Sequence, residues 1–336
     1  MRQKGKRAFV TGANGALAKQ TIIQLLQKGV TEVVMAVRSE LKGEKARREI
    51  LAGSQLQDEG ALTLLSGVDM LNPSKMETAL HRLRNERPFD IVFLAAGFAV
   101  FDSDYQGVNY RSKRFEKTVF QNIIGGHFVY RTLDTLGLVS KGARIVFAGG
   151  EGARGIFGMI RKPQFDTVRN FQNYLCLESN ALPNYDPMNA LGVSKFVGAL
   201  WIRYMSKKEN KERSFIWFSP GMTAGSVSIA QLPRLKRSVF RLLFTIMKYL
   251  GVAQSPQRGG EKFAQCLLGI VGVNGAILGA PKGKVLGRFT NQIPLNTQIE
   301  DTGLQQALME LLDGAVAKRE TKQKKTVPRR STPPLK

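Results

Sequence analysis

The chain has 336 residues, 43% of them apolar, which is long enough to bury a full α/β core. Two cysteines, Cys176 and Cys266, supply no disulfide framework, and two histidines, His81 and His127, are too few for a histidine metal site or a Ser-His-Asp triad; a reducing, cytoplasmic setting is expected. The net charge of +24 suits anionic partners such as cofactor phosphates or a lipid surface, or serves solubility alone.

In chain order, Met1-Arg2-Gln3-Lys4-Gly5-Lys6-Arg7 carries no apolar leader and passes directly into a strand-like run at 8–10. Further apolar, β-branched runs fall at 32–37, 61–65, 90–95 and 143–148. Segments with helical spacing separate them, the first marked by Leu17, Ile22, Leu25 and Leu26. A helix is expected near 188–206 and a strand over Phe215-Ile216-Trp217-Phe218, ending at Pro220-Gly221. This alternation predicts an α/β fold: a Rossmann, doubly wound parallel sheet covered on both faces. One domain is expected over 1–315, with a helical lid insertion at about 225–255. Residues 316–336 form an expected disordered basic tail, since 317–336 hold eight Lys/Arg against one Glu. No apolar stretch reaches about 18 residues, so no spanning helix is expected.

The first strand runs straight into Thr11-Gly12-Ala13-Asn14-Gly15-Ala16-Leu17-Ala18. A dinucleotide site needs glycine here. Gly12 permits a tight turn, Gly15 lets backbone N–H groups approach a pyrophosphate, and Ala18 is small enough for close helix–strand packing. Asn14 lies in the same turn, and the backbone of Leu17 follows it. The helix N-terminus adds partial positive charge. The second strand ends at Arg38 rather than at the carboxylate that would hold the ribose 2′-hydroxyl of NAD. A guanidinium there suits a 2′-phosphate, so NADP(H) is the expected cofactor.

At these residues the chain resembles the short-chain dehydrogenase/reductase family. Within it, Val34-Met35-Ala36-Val37-Arg38 is most similar to the retinol-dehydrogenase and protochlorophyllide-reductase-like branch. The resemblance implies that Asp69 contacts adenine and that Ala95-Ala96-Gly97 stands in the place of an Asn-Ala-Gly motif. It implies that Asn122 helps to hold a proton-relay water, that Lys195 binds the nicotinamide ribose, and that Pro220-Gly221 turns beside the nicotinamide. Two positions depart from the family. Its catalytic Tyr, four residues before the Lys, is Leu191, and its Ser after the fifth strand is Gly150 or Gly149. Leucine and glycine side chains neither donate a proton nor bind an oxyanion, and losing one such donor costs about 10²–10³ in rate.

Three readings follow. Tyr174 or Tyr185, in the stretch 151–190 that also holds Glu151, Cys176, Glu178 and Asp186, supplies the missing acid. Alternatively, the substrate is an activated C=C bond or an imine, which leans less on that acid. Or the chain is a catalytically inactive NADP(H)-binding scaffold.

After Pro220-Gly221, Arg234, Arg237, Arg241, Thr245 and Lys248 fall on one face of an expected helix. Leu235, Val239, Leu242, Leu243, Ile246, Met247 and Leu250 fall on the other, between Pro233 and Gly251. In the related branch this region lids an apolar pocket, which implies a small hydrophobic substrate. A basic amphipathic helix at 234–250 also suits peripheral contact with an anionic membrane. The resemblance implies a homodimer through helices near 110–135 and 190–206. Arg82, Arg84 and Arg87, in an expected helix, and Lys113, Arg114 and Lys117 form basic runs expected to face solvent. No helix-turn-helix or base-stacking platform occurs, so no specific nucleic-acid partner is expected.

Overall fold

Strands form where β-branched and aromatic residues cluster, because helices cover both of their faces. The computed structural model describes residues 5–55, 58–97, 107–111, 113–176, 185–209, 212–224 and 253–316. The expected lid helix at 234–250 and the basic tail lie outside them. The strands are β1 (Arg7–Thr11), β2 (Glu32–Val37), β3 (Leu62–Ser66), β4 (Phe89–Leu94), β5 (Gly107–Tyr110), β6 (Lys113–Glu116), β7 (Val139–Ala148), β8 (Ser214–Phe218), β9 (Ile277–Gly279) and β10 (Thr290–Asn291). Eight of them form one sheet in the order β10-β9-β8-β7-β4-β1-β2-β3. All pairs in it are parallel except β9 with β10. From β1 the chain winds outward to β2 and β3, then crosses back to β4. That reversal opens a crevice beyond the carboxyl ends of β1 and β4, where ligands of such sheets bind.

The helices are α1 (Ala16–Gln27), α2 (Glu40–Ser54), α3 (Pro73–His81), the single turn α4 (Lys117–Val119), α5 (Gly125–Thr135), α6 (Val168–Leu175), α7 (Pro187–Lys208), α8 (Pro256–Leu267) and α9 (Thr302–Val316). A π-helical segment, Phe120–Ile124, joins α4 to α5. Two apolar cores sandwich the sheet. Phe9, Val34, Val92, Ile145 and Trp217 face one; Ala8, Val10, Met35, Ile91, Val146 and Ile216 face the other. The strict alternation along β1 and β7 follows from the period of two in a strand. Glycines bring α8 onto α1: a Cβ at Gly260 would lie 2.7 Å from the Gln20 backbone. This contact fixes the direction in which α1 points at the crevice.

α9 packs against α7 and α6 and buries Leu304, Leu308, Leu311 and Leu312. Its Asp313 lies 3.6 Å from Nε2 of His127 on α5. Two local expectations differ from what is seen. α3 stops at His81, Arg82 caps it, and Asn85 has φ +74°, so the Arg82–Arg87 run lies in turns beyond the helix. Lys113 and Arg114 lie in an antiparallel hairpin, β5 with β6. No helix among the described residues is long and apolar enough to cross a membrane.

Candidate active site

The β1 side of the crevice is built by backbone. Thr11 closes β1, and its hydroxyl accepts the Ala96 N–H at 2.9 Å, tying the ends of β1 and β4 together. Gly12 has φ +62°, and a Cβ there would lie 2.9 Å from the Ala96 Cα; both facts require glycine. The Gly15 N–H bonds to Gly12 O at 2.9 Å and closes the turn, while the Ala13 N–H reaches Ala36 O on β2 at 3.4 Å. α1 then starts with no side-chain cap. By contrast, Ser39, Asn72, Thr167, Asp186 and Ser255 each cap the helix that follows them. The first-turn N–H groups of α1 are therefore left for a ligand, and they carry the positive end of the helix dipole. Asn14 and Leu17 are half-buried beside this turn. Arg38 is exposed one residue past β2. Asp69 follows β3; it is half-buried, and its Oδ1 accepts the Leu71 N–H at 3.1 Å.

The β7 side of the crevice is built by side chains from distant segments. A Cβ at Gly97 would lie 2.8 Å from Asn122 Oδ1, so the amide lies directly on that glycine. Asn122 is 2% exposed. The π-helical segment widens the turn that carries it, and its Nδ2 donates to Ser194 Oγ at 3.0 Å. Ser194 donates onward to Leu191 O at 2.8 Å. Next to it, Lys195 Nζ donates to Ala148 O at the end of β7, at 2.8 Å. Desolvation pushes the Lys195 amine down to about 8, against a smaller upward pull from the Glu151 carboxylate.

The structure separates the two glycines offered as the Ser position. A Cβ at Gly149 would lie 2.5 Å from the Trp217 ring, so no side chain fits there. At Gly150 a Cβ would lie 3.4 Å from the Lys195 side chain, in ordinary contact. Gly150 and Lys195 thus share one wall, beside the hydrogen-bonded chain from Asn122 through Ser194 to the Leu191 carbonyl. Of the two tyrosines, Tyr185 donates from its hydroxyl to Glu116 Oε1 at 2.9 Å. Glu116 is itself buried and caps α4, and burial raises its carboxyl above the usual range. Tyr174 on α6 stacks edge-on to Phe165 with ring centroids 5.8 Å apart.

Pro220-Gly221 closes β8. Gly221 has φ +91°, and a Cβ there would lie 2.7 Å from Val285 O. Pro220 O accepts from Gln254 Nε2 at 2.7 Å and from Lys262 Nζ at 3.2 Å. Burial lowers the Lys262 amine, and Glu151 partly offsets that. Sequence reasoning missed Ser194, Gln254 and Lys262. Ser194 adjoins Lys195 and could have been suspected. Gln254 and Lys262 lie more than 30 residues beyond the turn they hold, and nothing local marks them.

Fold and site together define a doubly wound α/β protein with a crevice at its switch point. A KR domain family model matches residues 7–105. The chain is 27% identical over 212 residues to the short-chain dehydrogenase fogG of Aspergillus ruber (strain CBS 135680), covering 61% of this chain and 56% of that protein. The chain thus spans about half the length of this curated relative. A short-chain type dehydrogenase/reductase from Mycobacterium ulcerans superposes with TM-score 0.57 at 14% identity, over 92% of this chain and 99% of that one. A short-chain dehydrogenase/reductase of unknown function from Caenorhabditis elegans, solved with cofactor, superposes with TM-score 0.54 at 19% identity, over 78% and 86%. The chain is thus similar to short-chain dehydrogenases/reductases over part of its length and shares their α/β fold.

Proposed function

We propose that the chain is an NADP(H)-dependent oxidoreductase acting on a small hydrophobic molecule, with a proton source other than a tyrosine at 191 or a serine at 150. The observation that carries this reading is the uncapped α1 behind Gly12, with Arg38 exposed at the end of the neighbouring strand. The first-turn N–H groups of α1 would hold the diphosphate, and Arg38 the 2′-phosphate. Asp69 would contact the adenine, and Lys195 the nicotinamide ribose. When bound, the cofactor would supply a hydride. Leu191 and Gly150 have no side-chain proton to donate. Lys195 Nζ, charged below about pH 8, is the donor that remains beside them. An acid of that strength suits proton delivery near neutral pH. It serves an activated C=C bond or an imine better than a ketone, whose oxygen needs two donors at once.

A second reading, an NADP(H)-binding protein without turnover, is favoured by the same two positions, Gly150 and Leu191. One experiment separates the two. Purified protein is titrated with NADPH and NADH, then assayed for NADPH consumption with aldehydes, quinones, enones and imines. Saturable NADPH binding with steady turnover on an enone or imine supports the enzyme. Binding without turnover on any of them supports the second reading. No saturable signal at millimolar NADPH would sink both.

A further inference from the structure

Glu151 is a buried carboxylate that hydride transfer leaves without a task. It follows Gly150, opens the 3-10 turn Glu151–Arg154 and is 6% exposed. Ser219 Oγ lies 2.8 and 2.9 Å from its two oxygens, and the Ala280 N–H donates to Oε1 at 3.1 Å. A hydroxyl has one proton, so Ser219 donates to the carboxylate and accepts the Gly221 N–H, 3.2 Å away, on a lone pair. One side chain therefore ties together the ends of β7, β8 and β9. It also sets the direction of the hydroxyl that holds the Pro220-Gly221 turn.

Among the described residues no lysine or arginine forms a salt bridge with Glu151. An unpaired buried carboxylate is costly, and a neutral amide could accept the same hydrogen bonds. What the glutamate alone brings is charge. Three cations feel it: Lys195 from α7, Lys262 from α8 and Arg154 from its own turn. Ser219 and Ala280, which also touch it, bring none. Each lysine is committed to a main-chain carbonyl at the end of a neighbouring strand, Lys195 to Ala148 O and Lys262 to Pro220 O. Arg154 is spent on Gln292 Oε1 and on the Pro281 and Lys284 carbonyls.

We propose that Glu151 is a positioning residue for the nicotinamide end of the crevice: through Ser219 it holds the Pro220-Gly221 turn, and it sets a carboxylate next to Gly150, against which the Lys195 side chain packs. This rests on the dinucleotide reading above.

The test uses Glu151→Gln and Ser219→Ala in the full chain. Each is titrated across pH with NADPH and with 2′,5′-ADP, which carries only the phosphates of the adenosine half. Glu151→Gln is expected to weaken NADPH about tenfold, as loss of a charged hydrogen-bonding group does, and to leave 2′,5′-ADP within about twofold. It should also lower the pH at which NADPH affinity declines, because a lysine without its neighbouring carboxylate loses its proton sooner. Ser219→Ala should weaken NADPH without moving that midpoint, since the charge stays. A merely structural role would weaken both ligands equally or leave the midpoint in place, and either result overturns the proposal. So does a Glu151→Gln protein that binds NADPH like the parent. A parent protein that binds neither ligand sinks the dinucleotide reading, and this proposal with it; the two failures are thereby distinguished.

Discussion

At the β1 end of the crevice, the features that a dinucleotide needs come from backbone and small residues: Gly12 at φ +62°, the closed turn to Gly15 and an uncapped α1. At the β7 end the frame is equally well built, with Asn122 bonded to Ser194 and Lys195 to Ala148 O, yet positions 150 and 191 carry glycine and leucine. The difference teaches that binding and chemistry are separable in this fold. On the proposed reading, phosphate recognition would be spread over main-chain donors, which depend on the shape of the turn and not on any one polar side chain. Proton delivery rests on one or two side-chain atoms, which a substitution deletes without disturbing the frame.

The strongest way to break the binding end is Gly12→Val. The positive φ and the 2.9 Å approach to Ala96 leave no room, so NADPH affinity should fall about 100-fold, a cost of a few kcal/mol. Calorimetric titration would show it, and an unchanged affinity would remove the turn from the site. The opposite end is sharpened by adding what it lacks. Gly150→Ser with Leu191→Tyr should raise ketone reduction about 100-fold over the parent, because it restores both donors on a wall whose lysine and asparagine are in place. Gly149→Ser should instead destabilise the protein, since its Cβ would meet Trp217. A double variant as inactive as the parent would show that the frame itself is displaced.

A smaller effect is expected from Arg38→Ala. It should weaken NADPH about tenfold and leave NADH nearly unchanged, which separates the 2′-phosphate from the rest of the cofactor. The smallest effect is on pH. The Lys195 amine sits at about 8, below its ordinary 10.5. Its positive charge, and the attraction to an anionic cofactor, is complete below that value and is lost as pH rises through it. NADPH affinity should therefore decline a few-fold between about pH 8 and 10 in the parent. Lys195→Met should flatten this profile.

Much of the binding end was legible in the chain. The strand runs at 8–10 and 32–37 became β1 and β2, and the Gly12–Gly15 turn lies where the periodicities change from two to 3.6. Such signals are local: a few adjacent residues decide a turn, a strand edge or a helix start. The alternatives left open at Gly149 and Gly150 were not legible, because only the packed Trp217 ring, 67 residues on from Gly150, shows which of the two has room for a side chain. The short hairpin β5–β6, α8 and α9 went unmarked for a related reason. Their apolar faces are set by what they pack on, not by an uninterrupted pattern of their own.

By itself the amino-acid sequence determined the alternation of strands and helices, the glycine turn, the arginine closing the second strand, and the glycine and leucine at 150 and 191. Tertiary structure alone decided that Glu151, Ser219 and Ala280 meet, that Asn122 reaches Ser194, and that α9 lies over α7. The physical reason is range. Backbone conformation and periodicity are written within a few neighbouring residues, whereas desolvation, hydrogen-bond partnership and charge proximity exist only after segments far apart in the chain have been packed together.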